Sequence, residues 1–163
     1  MPTLLWLLWT ALALAGAPRL DGVWDLDQDA SESLEPVLVL QGANWLERRI
    51  AGRLDITQTI RVIPDGYAVS MASSVYERSF QALPDGVVRP YSAPRMNARS
   101  LKTTWQGDVL VTETVLILAD GTLARAREER RLLDPQTLEM MIVLEPEGAE
   151  PIRIRRVFRL LNR

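Results

Sequence analysis

The sequence predicts an all-β chain: an antiparallel up-and-down β-barrel of about ten strands, with a helix-turn-helix lid after the first strand. Three observations predict it. Turn residues recur at intervals of roughly ten residues beyond residue 54, the spacing of an all-β sandwich or barrel. The segments between them alternate apolar and polar residues, as half-buried strands do. Helical signals are confined to residues 33–53, between N-cap residues and a glycine.

The first strand is Val23-Trp24-Asp25-Leu26-Asp27, which alternates cleanly. Asp29-Ala30-Ser31-Glu32-Ser33 follows as a loop rich in N-cap residues. Ser33, with Pro36 in the first turn, opens a short helix to residue 40, and Gly42 breaks it. Asn44 caps a second helix over 45–53, with Trp45, Ile50 and Leu54 near one face. Residues 56–62 and 67–71 flank Pro64-Asp65-Gly66 as a hairpin. A strand over 75–83 ends at Pro84-Asp85-Gly86. The stretch 87–96 contains Pro90 and Pro94 and gives no clear element. Residues 101–105 and 109–118 form a second hairpin around Gln106-Gly107-Asp108. Strands over 122–132, 137–144 and 152–161 complete the chain, separated by Asp134-Pro135 and Glu145-Pro146-Glu147-Gly148.

Composition narrows the function. The chain has 163 residues, 47% hydrophobic and 25% charged, which suits one folded domain. A net charge of −2 gives no general attraction to nucleic acid. Cysteine and histidine are both absent. That excludes disulfides, thiolate metal sites, histidine-ligated haem and histidine general bases. Glu128, Tyr67 and Tyr76 remain as acid–base candidates, but no nucleophile–base–orienter set accompanies them. The reading is therefore of a non-enzyme with no catalytic residue, no metal and no cofactor.

Residues 1–17 stand apart. Residues 4–17 carry no charge and end in small residues, too short for a membrane span of about 20. They read as a signal peptide, with residues 18–163 as the barrel domain. The expected location is exported, periplasmic or extracellular. The alternative is a membrane anchor left in place.

The order of these elements resembles the fatty-acid-binding (intracellular lipid-binding) protein family, of the lipocalin-like calycin group. The resemblance runs from Leu20 to Leu161. Gly22-Val23-Trp24 is similar to that family's opening strand. Ala43-Asn44-Trp45-Leu46-Glu47-Arg48-Arg49-Ile50-Ala51-Gly52 is similar to its second lid helix. Ser73-Ser74-Val75 and Ser79-Phe80 resemble its fourth strand. Arg99-Ser100-Leu101-Lys102-Thr103-Thr104-Trp105 and Val109-Leu110-Val111 resemble its middle hairpin. Arg156-Val157-Phe158 resembles an arginine-x-tyrosine pair that grips a ligand carboxylate, with Phe158 where the tyrosine stands. The resemblance implies a carrier of a fatty-acid-like ligand; the predicted signal peptide, unlike that family's cytosolic members, would make it an exported relative, and a monomer with transient membrane contact and no nucleic-acid partner is expected. It places Arg130 near a second ligand-binding arginine.

The residues supply their own argument. In the last strand Ile152, Ile154, Arg156, Phe158 and Leu160 share one face, and that face reads as interior. Arg156 is then a guanidinium among apolar neighbours, which demands an anionic or hydrogen-bonding partner. Ala124, Ala126, Glu128, Arg130 and Leu132 share the interior face of the strand over 122–132. Glu128 can neutralise an arginine there, and a self-satisfied network of Arg156, Glu128 and Arg130 is the plainer alternative. Outward Arg153, Arg155 and Arg159 would face Asp25 and Asp27 if the first strand pairs with the last. Trp24, Ile56, Ile60, Val69, Met71, Leu101, Leu138, Met140 and Ile142 are the expected interior apolar set. The ligand-binding candidates are Arg156, Phe158, Arg130, Glu128, Trp24, Ile60, Met71 and Met140. A buried tail contributes about 0.8 kcal/mol per methylene against ordering costs of at least about 4 kcal/mol. The competing reading is a barrel filled by its own side chains, serving as a scaffold or protein-interaction module.

Overall fold

The computed structural model describes residues 18–93 and 96–163. The predicted signal peptide, residues 1–17, lies outside the described residues. Ten antiparallel strands and two short helices follow in the expected order. They are β1 (Gly22–Leu26), α1 (Glu35–Leu40), α2 (Trp45–Ala51), β2 (Thr57–Ile63), β3 (Gly66–Ala72), β4 (Glu77–Ala82), β5 (Arg89–Pro90), β6 (Ala98–Gln106), β7 (Val109–Ile117), β8 (Leu123–Asp134), β9 (Thr137–Pro146) and β10 (Ile152–Asn162).

The sheet runs β4-β3-β2-β1-β10-β9-β8-β7-β6-β5 and curls into a half-barrel. The first and last strands are joined by the β1–β10 ladder, where Trp24 pairs with Leu160 and Leu26 with Phe158. The two edges are β4 and β5, which share no ladder. β5 is reduced to two residues because Pro90 has no N–H to donate to a longer ladder.

Alternation decides which side chains face inward. Trp24, Ile60, Val69, Phe80, Leu101, Leu110, Leu138, Met140 and Phe158 form the main apolar cluster, with Ile56, Met71 and Ile142 packed against it. Trp24 is fully buried, and its indole N–H donates to the Leu20 carbonyl at 2.9 Å, so its polar handle is satisfied. A second cluster of Leu116, Leu118, Ala124 and Leu144 lies under Val37 and Leu40 of α1. Of the nine residues expected to face inward, six belong to the main cluster and Ile56, Met71 and Ile142 pack against it.

The lid departs from expectation. α1 is capped without a side-chain bond at Leu34, while Ser33 Oγ accepts from the Glu35 N–H. α2 begins at Asn44 as expected, reinforced by a reciprocal bond from Glu47, but it stops at Gly52 rather than at residue 53. Its apolar side chains do not cover the mouth of the barrel: Trp45 is 63% and Leu46 54% exposed. Of the two helices, α1 packs on the sheet through Val37 and Leu40, whereas no α2 side chain joins either core cluster.

Among the described residues, the outer charges pair differently from the β1–β10 expectation. Arg159 does meet Asp27, at 2.9 Å. Asp25 instead accepts from the Thr57 hydroxyl, and Arg155 pairs with Glu139.

Candidate functional site

The interior is not uniformly apolar. One wall carries Gln58, Met71 and Arg78 in a single cross-strand row, Gln58 opposite Met71 and Met71 opposite Arg78. The facing wall carries Glu128 and Arg130 on β8. The two walls meet here. Arg78 Nη2 donates to both Glu128 oxygens, at 2.6 and 2.8 Å. Arg130 Nη2 donates to Glu128 Oε2 at 2.7 Å, and Arg130 Nε donates to Gln58 Oε1 at 2.6 Å. The Met71 sulfur lies 3.8 Å from both Nη2 atoms. Phe80 supports the cluster from below, with the Arg78 and Arg130 guanidinium carbons 5.2 and 5.6 Å from its ring centre. Tyr91 packs edge-on against the same ring.

Burial governs the electrostatics. Arg130 and Gln58 are fully buried and Arg78 is 8% exposed. Burial alone would raise the Glu128 pKa, but Arg78 and Arg130 outweigh it and hold the carboxyl at about 2. Two guanidiniums and one carboxylate leave the cluster with one surplus positive charge. Four side-chain polar atoms here are buried without a hydrogen-bond partner: Gln58 Nε2, Arg78 Nε, Arg130 Nη1 and Tyr91 Oη.

Arg156 stands apart from this network. It faces inward as expected, 6% exposed, in one sheet row with Met140 and Arg130. Two inter-strand steps put the Arg130 and Arg156 backbones about 10 Å apart. Its partner is a backbone group, the Glu32 carbonyl, which accepts from Nη1 at 2.7 Å. Burial lowers its pKa, and the guanidinium stays charged. The anticipated network of Arg156, Glu128 and Arg130 is thus corrected: Glu128 pairs with Arg78 and Arg130, and Arg156 braces the loop before α1.

The other candidates fall into place around these groups. Phe158, Trp24, Ile60 and Met140 are buried in the main cluster, and Met71 sits within the ionic cluster itself. Gln58, Arg78 and Tyr91 were not among the expected site residues. Gln58 shares its face with Ile56 and Ile60, and Arg78 with Phe80 and Ala82, so strand parity contained both. Tyr91 lies in the proline-rich stretch, where no periodicity exists to orient it.

Two cavities border the barrel. One, of about 260 Å³, is lined by Gln41, Met96, Asn97 and residues 116–119 at the α1 end. Met96 also touches the cluster, its sulfur 3.5 Å from Arg78 Nη1. The other, of about 320 Å³, lies among the outward charges of β6, β7 and β8, including Lys102, Glu113 and Arg127. Neither is lined by Arg156. Elsewhere the walls touch directly, as Tyr67 and Trp105 do edge to face.

No family model and no curated protein sequence matches the chain. Solved structures do. The apo form of Caenorhabditis elegans lipid binding protein 8 superposes with a TM-score of 0.68 at 17% identity, over 86% of this chain and 94% of that one. The REP1-NXSQ fatty acid transporter gives 0.64 at 14% identity, over 87% and 96%. Echinococcus granulosus fatty-acid-binding protein 1 gives 0.61 at 15% identity, over 87% and 97%. The fold is that of the fatty-acid-binding proteins. Within this fatty-acid-binding-protein fold, the helix pair after the first strand occupies the position that the sequence resemblance implied. Among the described residues no group of three acidic, cysteine or histidine side chains gathers as a metal site.

Proposed function

We propose that the chain is an exported, non-enzymatic carrier of an amphipathic anion such as a fatty acid. The observation that carries this reading is the surplus of buried positive charge. Among the described residues, Arg78 and Arg130 share the single carboxylate of Glu128, and buried Arg156 has a backbone carbonyl rather than an anion as its partner. Buried cations of this kind are stabilised by a partner anion, and a carboxylate matches a guanidinium bidentately. The apolar lining supplies affinity for a tail, while the cations orient the head group. The fatty-acid and lipid carriers that share the fold support the same reading.

Delivery is proposed to involve brief membrane contact by the monomer. Trp45, Leu46 and Ile50 are exposed on α2 beside Arg48, Arg49 and Arg53, the mixture that suits an anionic lipid surface. The uncharged run at residues 4–17 supports export.

A second reading has a specific observation in its favour. The contacts Tyr67–Trp105, Gln58–Arg130 and Arg78–Glu128 bridge the interior, as in a barrel closed by its own side chains. Native mass spectrometry of the purified protein, before and after delipidation, separates the two. A carrier releases a lipid of defined mass and takes up fatty acid saturably. A sealed scaffold does neither.

A further inference from the structure

Met96 bridges the open side of the barrel. The two sheet edges, β4 and β5, share no ladder. Met96 lies just before β6, yet its sulfur meets two groups from the β4 side. Arg78 Nη1 donates to it at 3.5 Å and the Tyr76 hydroxyl at 3.8 Å. A thioether is a weak acceptor, so two strong donors are aimed at a poor partner.

The same residue also borders open space. Met96 lines the 260 Å³ cavity at the α1 end, whose lining residues Asn97 and Ala119 are exposed to solvent. A water molecule occupies about 30 Å³, so a small oxidant has room to enter. Among the described residues the other methionines do not combine these features. Met140 is 2% exposed. Met71 meets Arg78 and Arg130 through their Nη2 atoms, which already donate to Glu128. Met141 lies on the outer face between Glu129 and Arg155, and Arg155 is engaged by Glu139.

We propose that Met96 is a reversible oxidation site, at which a hydroperoxide forms the sulfoxide and Arg78 and Tyr76 capture the new oxygen. A sulfur lone pair attacks the terminal peroxide oxygen, so that an S–O bond forms and the O–O bond breaks. The sulfur gives up two electrons, and the proton on the transferred oxygen passes to the departing one, which leaves as water or an alcohol. A sulfoxide reductase reverses the step. The sulfoxide oxygen is a strong acceptor where the thioether was a weak one, and two donors already point at it. Oxidation therefore tightens the contact between β4 and the start of β6, the reverse of its usual effect on a packed methionine. The inference is independent of the carrier reading.

The test treats the full chain briefly with hydrogen peroxide. Peptide mass spectrometry locates the added oxygen, and thermal unfolding and hydrogen exchange read its effect. Met96 is expected to be oxidised before Met71, Met140 and Met141. The oxidised chain is expected to keep or raise its unfolding midpoint, with slower exchange over residues 77–82, and a methionine sulfoxide reductase is expected to restore both. Met96→Leu is expected to abolish the slowing. In Tyr76→Phe, compared with its own reduced form, oxidation is expected to lower the midpoint by about 2–4 °C, the effect of a polar group short of a donor. Oxidation of Met141 ahead of Met96 would overturn the site. A lowered midpoint with faster exchange over residues 77–82 in the oxidised wild-type chain would overturn the capture, as would identical responses of the wild-type chain and Tyr76→Phe.

Discussion

Arg78 and Glu128 meet across the barrel: one Nη2 atom lies 2.6 and 2.8 Å from the two carboxylate oxygens of a residue 50 positions away. Arg78 sits on the edge strand β4 and Glu128 on β8, so the contact ties the open edge of the sheet to the opposite wall. Breaking it strands buried charge. Glu128→Gln leaves Arg78 and Arg130 without their anion and is expected to cost about 3–5 kcal/mol. Urea unfolding checks this, and a loss below about 1 kcal/mol would show the clasp to be dispensable.

The same carboxylate makes stability pH-dependent. The folded pKa of Glu128, about 2, lies below its ordinary value of 4.5. A depressed carboxyl contributes stability fully above its unfolded pKa and loses it as pH falls through the folded one. Stability is therefore expected to fall between about pH 4.5 and pH 2, by on the order of 3 kcal/mol from this group. Glu139, whose pKa is lowered by Arg155 and Arg131 against the effect of burial, adds to the loss with the same sign. Denaturant midpoints measured across that range check it, and a flat profile would contradict it.

Much of this was legible in the sequence, and the limits were physical. Period-two alternation alone places Trp24, Ile60, Met140, Phe158 and Arg156 on the inner face, where the structure has them. It could not say which strands oppose one another across the barrel. Arg78–Glu128 and Gln58–Arg130 are contacts between facing walls, set by sheet curvature rather than by spacing along the chain. Arg156 shows the same limit: its face was readable, but its partner is a backbone carbonyl, and a backbone partner leaves no mark in the sequence. For α2, helical spacing and the Asn44 cap were correctly readable, while burial was not, because a helix of seven residues can form without docking.

Arg156 is expected to act on the loop between β1 and α1. Its bond to the Glu32 carbonyl is one of several stitches there, with Val157 N–H donating to Ser31 Oγ and Arg155 N–H to Glu32 Oε2. Arg156→Met keeps an inward side chain and removes the stitch. Hydrogen exchange is expected to quicken over residues 27–34, with a global cost of about 1–2 kcal/mol. Unchanged exchange in that loop would refute the bracing role.

Gly42 sets the lid angle. It takes φ +79°, and an added Cβ would come within 2.8 Å of the Ala119 Cβ. The Ala119 N–H also donates to the Leu40 carbonyl, so α1 is pinned to the turn after β7 at this point. Gly42→Ala is expected to cost about 1–2 kcal/mol through the left-handed backbone alone. Thermal unfolding reads the cost, and a neutral result would show that the lid can re-seat.

The most direct measurement is calorimetric titration of the delipidated full chain with a long-chain fatty acid and, separately, the matching alcohol. The account predicts saturable one-to-one uptake of the acid, tighter than that of the alcohol, because the interior offers both apolar surface and uncompensated positive charge. Heat that never saturates, or equal affinity for acid and alcohol, would contradict it.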